Sequence, residues 1–255
     1  MIATNPNINM ACEACRTIPP VIAQGYTPKG QYETIAGLKT YVTGNTDSTI
    51  GLVDIYDIFG LASQTIQGAD LLAARLNAVV VIPDFFKGEA LEHSVIPPDT
   101  DEKKKRIGDF LATNANIERN VCVLLAAMPE YRSRFPSVVK WAANGFCWGG
   151  KVTILASGSN TPFVATSQCH PALMDLKDAQ SVSIPHLVLA SKDEDAETVA
   201  AYGPLVAPSG GAVETYSKMW HGWMGARADL ENEECHAEYV RGYNQLADFF
   251  EKHLI

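Results

Sequence analysis

The chain has 255 residues, 47% of them hydrophobic, and a formal net charge of −9. This is enough apolar material for one large α/β core, and the acidic balance argues against nucleic acid or an anionic membrane as a partner. There is no run of about 18 apolar residues that would span a bilayer, and no apolar leader precedes Pro19 and Pro20, so a cytoplasmic protein is expected.

Residues 1–25 read as an N-terminal arm rich in Asn, Pro and Thr, and 26–255 as a single α/β domain. The arm's Cys12 and Cys15 have the spacing of a redox pair or half a metal site, but no second ligand pair accompanies them. With Cys122, Cys147, Cys169 and Cys235 they are expected to remain thiols in a chain without a secretory signal. A first strand is predicted over Tyr32 to Val42 and a second, buried one over Ser48 to Tyr56, running into Asp57-Ile58-Phe59-Gly60. Ile66, Ala69, Leu72, Ala73 and Leu76 recur at helical spacing between Ser63 and Leu76, and Ala78 to Pro83 reads as another central strand. Asp84-Phe85-Phe86-Lys87-Gly88 follows at its carboxyl end, where open α/β sheets place their crevices. Pro97-Pro98-Asp99 marks a loop suited to a lid, and helices are predicted from about Asp101 to Met128, their basic start Lys103 to Arg106 facing solvent. Further strands are predicted at Phe163 to Thr166, His186 to Ala190 and Ala212 to Tyr216. A closing helix runs from about Cys235 to His253, with Tyr239, Tyr243, Leu246, Phe249 and Phe250 inward. This alternation predicts a mostly parallel sheet with helices on both faces.

The most informative stretch is Val139 to Val152: a buried strand, a sharp turn framed by Gly145 and Gly149, and a helix start. A nucleophile on such a strand-to-helix elbow has small residues two before and two after it, because nothing larger fits there. Cys147 stands at the centre, and a thiolate is intrinsically the stronger form of such a nucleophile. An acid after a later strand, Asp193 or alternatively Asp195, and His221 after the last one complete the chain order nucleophile, acid, histidine. Asp193 is preferred because it sits nearer the strand end. The oxyanion hole is expected at the backbone N–H groups of Trp148 and Ile58. Cys169-His170 and Cys235-His236 do not make a tetrahedral ligand set, and no metal or other cofactor is expected.

Gly145-Phe-Cys-Trp-Gly-Gly150, Tyr56-Asp57-Ile58-Phe59-Gly60, Pro83-Asp84-Phe85-Phe86 and His221-Gly222-Trp223 together resemble the dienelactone hydrolase family, particularly its fungal members. The resemblance runs from about residue 26 onward. It implies an α/β-hydrolase fold without a separate cap domain, and hydrolysis of a small lactone or ester through a Cys-His-Asp triad. It also implies that an acid at the end of an early strand, here Asp57, controls protonation of the cysteine. Where the family's type enzyme has glutamate at that position, this chain has aspartate. Where the type enzyme binds a substrate carboxylate with arginines, the nearby residues are Lys87 and Arg227, so a different lactone or aryl ester is as good a candidate as dienelactone. Phe86 and Trp223 would line a pocket for a ring-bearing substrate. The partner expected is a small molecule, with the chain a monomer or homodimer. A slow or non-hydrolytic ligand sensor on the same scaffold is an alternative, and so is an acyl transferase, since a thioester can be captured by an alcohol or amine.

Overall fold

The computed structural model describes residues 19–21 and 25–255; Cys12 and Cys15 lie outside the described residues. Strand β1 (Gln31–Ile35) and strand β2 (Leu38–Gly44) pair antiparallel, with Ile35 opposite Leu38. The single strand predicted over Tyr32 to Val42 is therefore a hairpin. Its two-residue turn, Ala36-Gly37, has positive φ at both positions (51° and 72°), the combination that matches the twist of paired strands. Ala36 is what conceals the turn, since alanine is not a residue that favours this conformation.

Strands β3 (Ile50–Ile55), β4 (Val79–Pro83), β5 (Lys140–Phe146), β6 (Ala165–Cys169), β7 (His186–Ser191) and β8 (Ala212–Tyr216) complete an eight-stranded sheet ordered β1-β2-β4-β3-β5-β6-β7-β8. All pairings from β4 onward along that order are parallel, and β2 joins β4 antiparallel. Every residue of β3 and β4 is buried. That is why they read as continuous apolar runs without alternation.

Helices cover both faces. Helix α1 (Ser63–Leu76) buries the predicted stripe and closes on Asn77 in the left-handed region, whose N–H donates to Ala73 O. Helix α2 (Asp101–Ala112) is capped by Thr100, and its basic start pairs with Glu92, Asp99, Asp101 and Asp109 at the surface. Helix α3 (Ile117–Arg134), helix α4 (Trp148–Leu155), helix α5 (Leu176–Ser181) and helix α6 (Ala196–Val206) pack in succession, while helix α7 (Glu233–Leu254) lies on α1. The two sides separate at the end of β5. A Cβ on Gly145 would meet Gly149 and Thr153 of α4, whereas the Phe146 ring lies 6.2 Å from Tyr243 of α7.

Two sets of contacts tie loops to the sheet. Asp70 of α1 accepts from the Tyr26, Tyr41 and Thr43 hydroxyls and the Lys29 N–H, at 2.6 to 3.0 Å. Charge-assisted bonds of this kind are the stronger ones, and four of them tie the entry to β1 onto α1 and β2. In the segment before α2, Leu91, Val95 and Ile96 are buried and Leu91 N–H donates to Ile58 O at 2.9 Å, whereas Pro97 and Asp99, in the loop expected to suit a lid, are exposed. Among the described residues no helix is long and apolar enough to cross a membrane.

Candidate active site

At the end of β5 the backbone turns sharply into α4, and Cys147, the residue before the helix, has φ 52° and ψ −112°. A non-glycine residue holds so rare a conformation only where its surroundings over-determine it. Here the glycines on either side do so. A Cβ at Gly145 would stand 2.1 Å from Gly149 O, and one at Gly149 would stand 2.2 Å from Ile55 O on β3. Cys147 is 4% exposed. Its N–H donates to Cys169 O at 3.1 Å, and its carbonyl accepts from Ala172 N–H at 3.2 Å, so the segment after β6 is bonded to the elbow on both sides.

His221 lies in the loop after β8, buried. Its ring Nδ1 is 2.7 Å from Oε1 of Glu194, which is equally buried. A carboxylate at Nδ1 fixes the proton there and leaves Nε2 as the basic nitrogen. The acid the sequence reading favoured, Asp193, is placed elsewhere: its Oδ2 accepts the backbone N–H of His221 at 2.8 Å. Asp195, the alternative, caps α6 at the surface by accepting from the Thr198 N–H and hydroxyl. The acid facing the imidazole is thus Glu194. The tight turn after β7 explains the one-residue shift, because Asp193 N–H bonds Ser191 Oγ and the Glu194 carboxylate folds back onto Ser191 N–H. That carries Glu194 over the strand end and turns Asp193 towards the main chain of the histidine loop.

Asp57, at the end of β3, is buried, and both its oxygens accept backbone N–H groups, from Phe59 at 2.9 Å and from Ala226 at 3.0 Å. Burial pushes its carboxyl up, opposed by those two bonds and by the charges of Arg227 and His221. With the shorter aspartate side chain, the bonds seen run to the turn and to the histidine loop, and the Cys147 thiol is not among its bonded partners. Arg227 is buried in that loop with its guanidinium 4.9 Å over the Phe59 ring. Gly222, at φ 99°, accommodates it, since a Cβ there would stand 3.0 Å from the Arg227 side chain.

Lys87, by contrast, is exposed. Phe86 packs with Tyr56, Phe110 and Trp148 in an aromatic cluster next to the elbow, with centroids 4.7 to 5.0 Å from it. The Trp148 indole N–H donates to Ala115 O at 2.7 Å. Trp223 is fully buried against Tyr216, 4.4 Å away, and over Gly242 of α7. Its surroundings are those of core packing. The backbone N–H of Trp148, first in α4, is unused by the helix itself, and the dipole of α4 adds positive potential at the same point.

One buried side chain here was missed as part of the site. His170 follows β6 with φ 36°, stacks on Phe146 at 5.6 Å and meets the His221 ring nearly edge-on at 5.2 Å. It could have been found from its place, since His170 follows a parallel strand at the same sheet edge as Cys147.

A buried cysteine on a glycine-framed elbow, with an acid-held histidine after the last strand, defines the α/β-hydrolase class. Solved structures agree on the fold. A putative dienelactone hydrolase from Klebsiella pneumoniae superimposes with a TM-score of 0.64 at 17% identity, covering 87% of this chain and 97% of that one. The Pyrococcus furiosus esterase Pf2001 gives 0.63 at 12% identity, covering 93% and 99%. The profile of the dienelactone hydrolase family matches residues 38–254. An uncharacterized AIM2 family protein of Schizosaccharomyces pombe is 38% identical over 235 residues, 89% of this chain and 93% of that protein. The chain belongs to the dienelactone hydrolase family.

Proposed function

We propose that this hydrolase acts on a small lactone or ester through an acyl-enzyme on Cys147. The observation that carries the reading is the left-handed Cys147 on its elbow together with His221 Nδ1 held 2.7 Å from Glu194. His221 Nε2 takes the thiol proton as sulfur attacks the carbonyl carbon, and returns that proton to the leaving oxygen as the C–O bond breaks. A water then gives its proton to Nε2 and its oxygen to the thioester carbon, and the released thiolate regains the proton. Glu194 keeps the ring in one tautomer and stabilises its cation. The N–H groups of Trp148 and Ile58 receive the oxyanion, Phe86 and Trp148 form the apolar wall, and Arg227 of the histidine loop is the cation assigned to an anionic group on the substrate. The thiol state of the four described cysteines supports a cytoplasmic setting.

The test is intact-mass spectrometry of the wild type and Cys147→Ala after exposure to an activated aryl ester and a lactone panel, with product release followed in parallel. The reading expects an acyl adduct on Cys147, turnover by the wild type, and neither in the variant. The near-complete burial of Cys147 and His221 favours one competing reading, a receptor that holds a lactone-like ligand. Saturable binding without adduct or product would establish it in place of the hydrolase.

A further inference from the structure

His170 is fully buried, and neither ring nitrogen has a hydrogen-bond partner among the described residues. A buried imidazole left so is costly, and native structures rarely keep such a group without a use for it. Its placement is specific. A Cβ on Gly225 would stand 3.8 Å from His170 Cε1, the ring atom between the two nitrogens, and 2.8 Å from Asp57 Oδ2. The nitrogen-bearing edge therefore faces Gly225 and Asp57, at the junction of β3, β6 and the histidine loop, where the packing is too close for a Cβ at 225. Phe146 behind it and His221 beside it hold the ring there.

We propose that His170 is a specificity-determining residue of this site, binding a hydroxyl next to the leaving oxygen of the substrate. The proposal rests on the hydrolase reading above. The leaving oxygen must lie at His221 to receive its proton, and the His170 ring centroid is 5.2 Å from that of His221, so a substituent on the carbon beside that oxygen reaches it. Burial and the charges of His221 and Arg227 push its pKa well below the ordinary range, which keeps the ring neutral, with one N–H donor and one lone pair. A carboxylate, acceptor only, would use the one N–H and leave the lone pair of the other nitrogen unmet. A hydroxyl, both donor and acceptor, pairs with either nitrogen in either tautomer. The class of substrate implied is an ester or lactone of a vicinal diol or an ortho-diphenol.

The experiment compares kcat/KM for 2-hydroxyphenyl acetate and phenyl acetate, each corrected for spontaneous hydrolysis, in the wild type and in His170→Phe, His170→Asn and His170→Gln. A site that hydrogen-bonds a substrate hydroxyl discriminates against the analogue lacking it, here by about tenfold or more. The expected result is that preference in the wild type, its collapse towards unity in His170→Phe, which keeps a ring but no nitrogens, and its partial return in the Asn or Gln variant. The proposal is overturned by a wild type indifferent to the hydroxyl, or by a His170→Phe that slows both esters equally and keeps their ratio. If the wild type hydrolyses neither ester, the hydrolase reading has failed. The histidine's contact is then read separately, as a thermal stabilisation by catechol greater than by phenol that His170→Phe abolishes. Should His170→Phe not fold, the Asn and Gln variants and the wild-type ring-nitrogen NMR shifts on adding catechol decide the question. No shift, with unchanged preference in both variants, overturns the proposal.

Discussion

Glu194 and Asp193 are adjacent acids that meet the same histidine in different ways, and the difference predicts unequal consequences. Glu194 bonds the ring and Asp193 the backbone N–H. Glu194→Gln keeps the size but replaces a charged acceptor with a neutral amide that can present its donor side to Nδ1, and loss of the tautomer control in comparable triads costs about 10²- to 10⁴-fold in turnover. Asp193→Asn retains a carbonyl for the His221 N–H and should cost about tenfold or less, the worth of one weakened hydrogen bond. Aryl ester turnover by the two purified variants checks this, and a large loss confined to Asp193→Asn would return the acid role to Asp193. The glycine-framed turn at Cys147 was readable from sequence because the elbow imposes a steric requirement that leaves a pattern. Which carboxylate faces the His221 ring, Glu194 and not the expected Asp193, was not readable because the path of a Ser-Lys-Asp-Glu turn depends on which side chain folds back onto the strand end. His170 belongs to no motif, and only its place after a parallel strand, at the same sheet edge as Cys147, points to it.

At the scale of elements, helices with a continuous apolar stripe were legible and those without one were not. Helix α1 was predicted at its observed bounds because five apolar residues share one face, whereas α5 and α6 were not predicted. The six residues of α5 are too short for a periodic signal, and α6 shows a similarly poor stripe because it carries Gly203 and Pro204 within a run of small residues. Glycines separate packing from propensity in a testable way. A Cβ on Gly68 would fall 1.9 Å from Tyr243 Cζ, so α1 and α7 approach through a gap that alanine closes. Gly68→Ala should destabilise by about 1–3 kcal/mol through forced displacement of a buried tyrosine. A Cβ on Gly108 in α2 meets nothing within 4 Å. Gly108→Ala should therefore stabilise by about 0.5–1 kcal/mol, from reduced freedom of the unfolded chain and better helix propensity. Thermal melts of both should move in opposite directions; two shifts of the same sign would mean that helix propensity alone, or packing alone, sets the response.

For the whole molecule, the buried polar groups under the elbow set how stability varies with pH. Asp54 of β3 lies opposite Asn144 of β5 in the sheet and receives its amide N–H at 2.6 Å, while its other oxygen has no partner among the described residues. Asn144 in turn accepts from Ser167 at 2.7 Å. One neutral donor does not offset complete burial of a carboxylate, and the Asp54 pKa is pushed up to about 7. His186 is buried in the opposite sense, bonded to Thr166 at 2.8 Å and pushed down to about 3. Between their folded and unfolded pKa values the two groups act oppositely. Asp54 holds a proton in the folded state that the unfolded chain releases, so its contribution is fully present below about pH 4 and is lost as pH rises through 7. The unfolded chain protonates His186 below about 6.5 and the folded state does not, so its contribution is lost as pH falls from there towards 3. Asp54→Asn removes only the first term. The stability of the wild type relative to this variant should then decline by about 1.4 kcal/mol per pH unit between about pH 4 and 7 and level off above, while both proteins lose stability in acid through His186. Chemical denaturation of the pair at pH 4.5, 6 and 8 reads the difference directly. A constant gap across the three would mean that Asp54 is already ionised in the folded core, with a counter-charge or solvent path that the Asn144 bond alone does not supply.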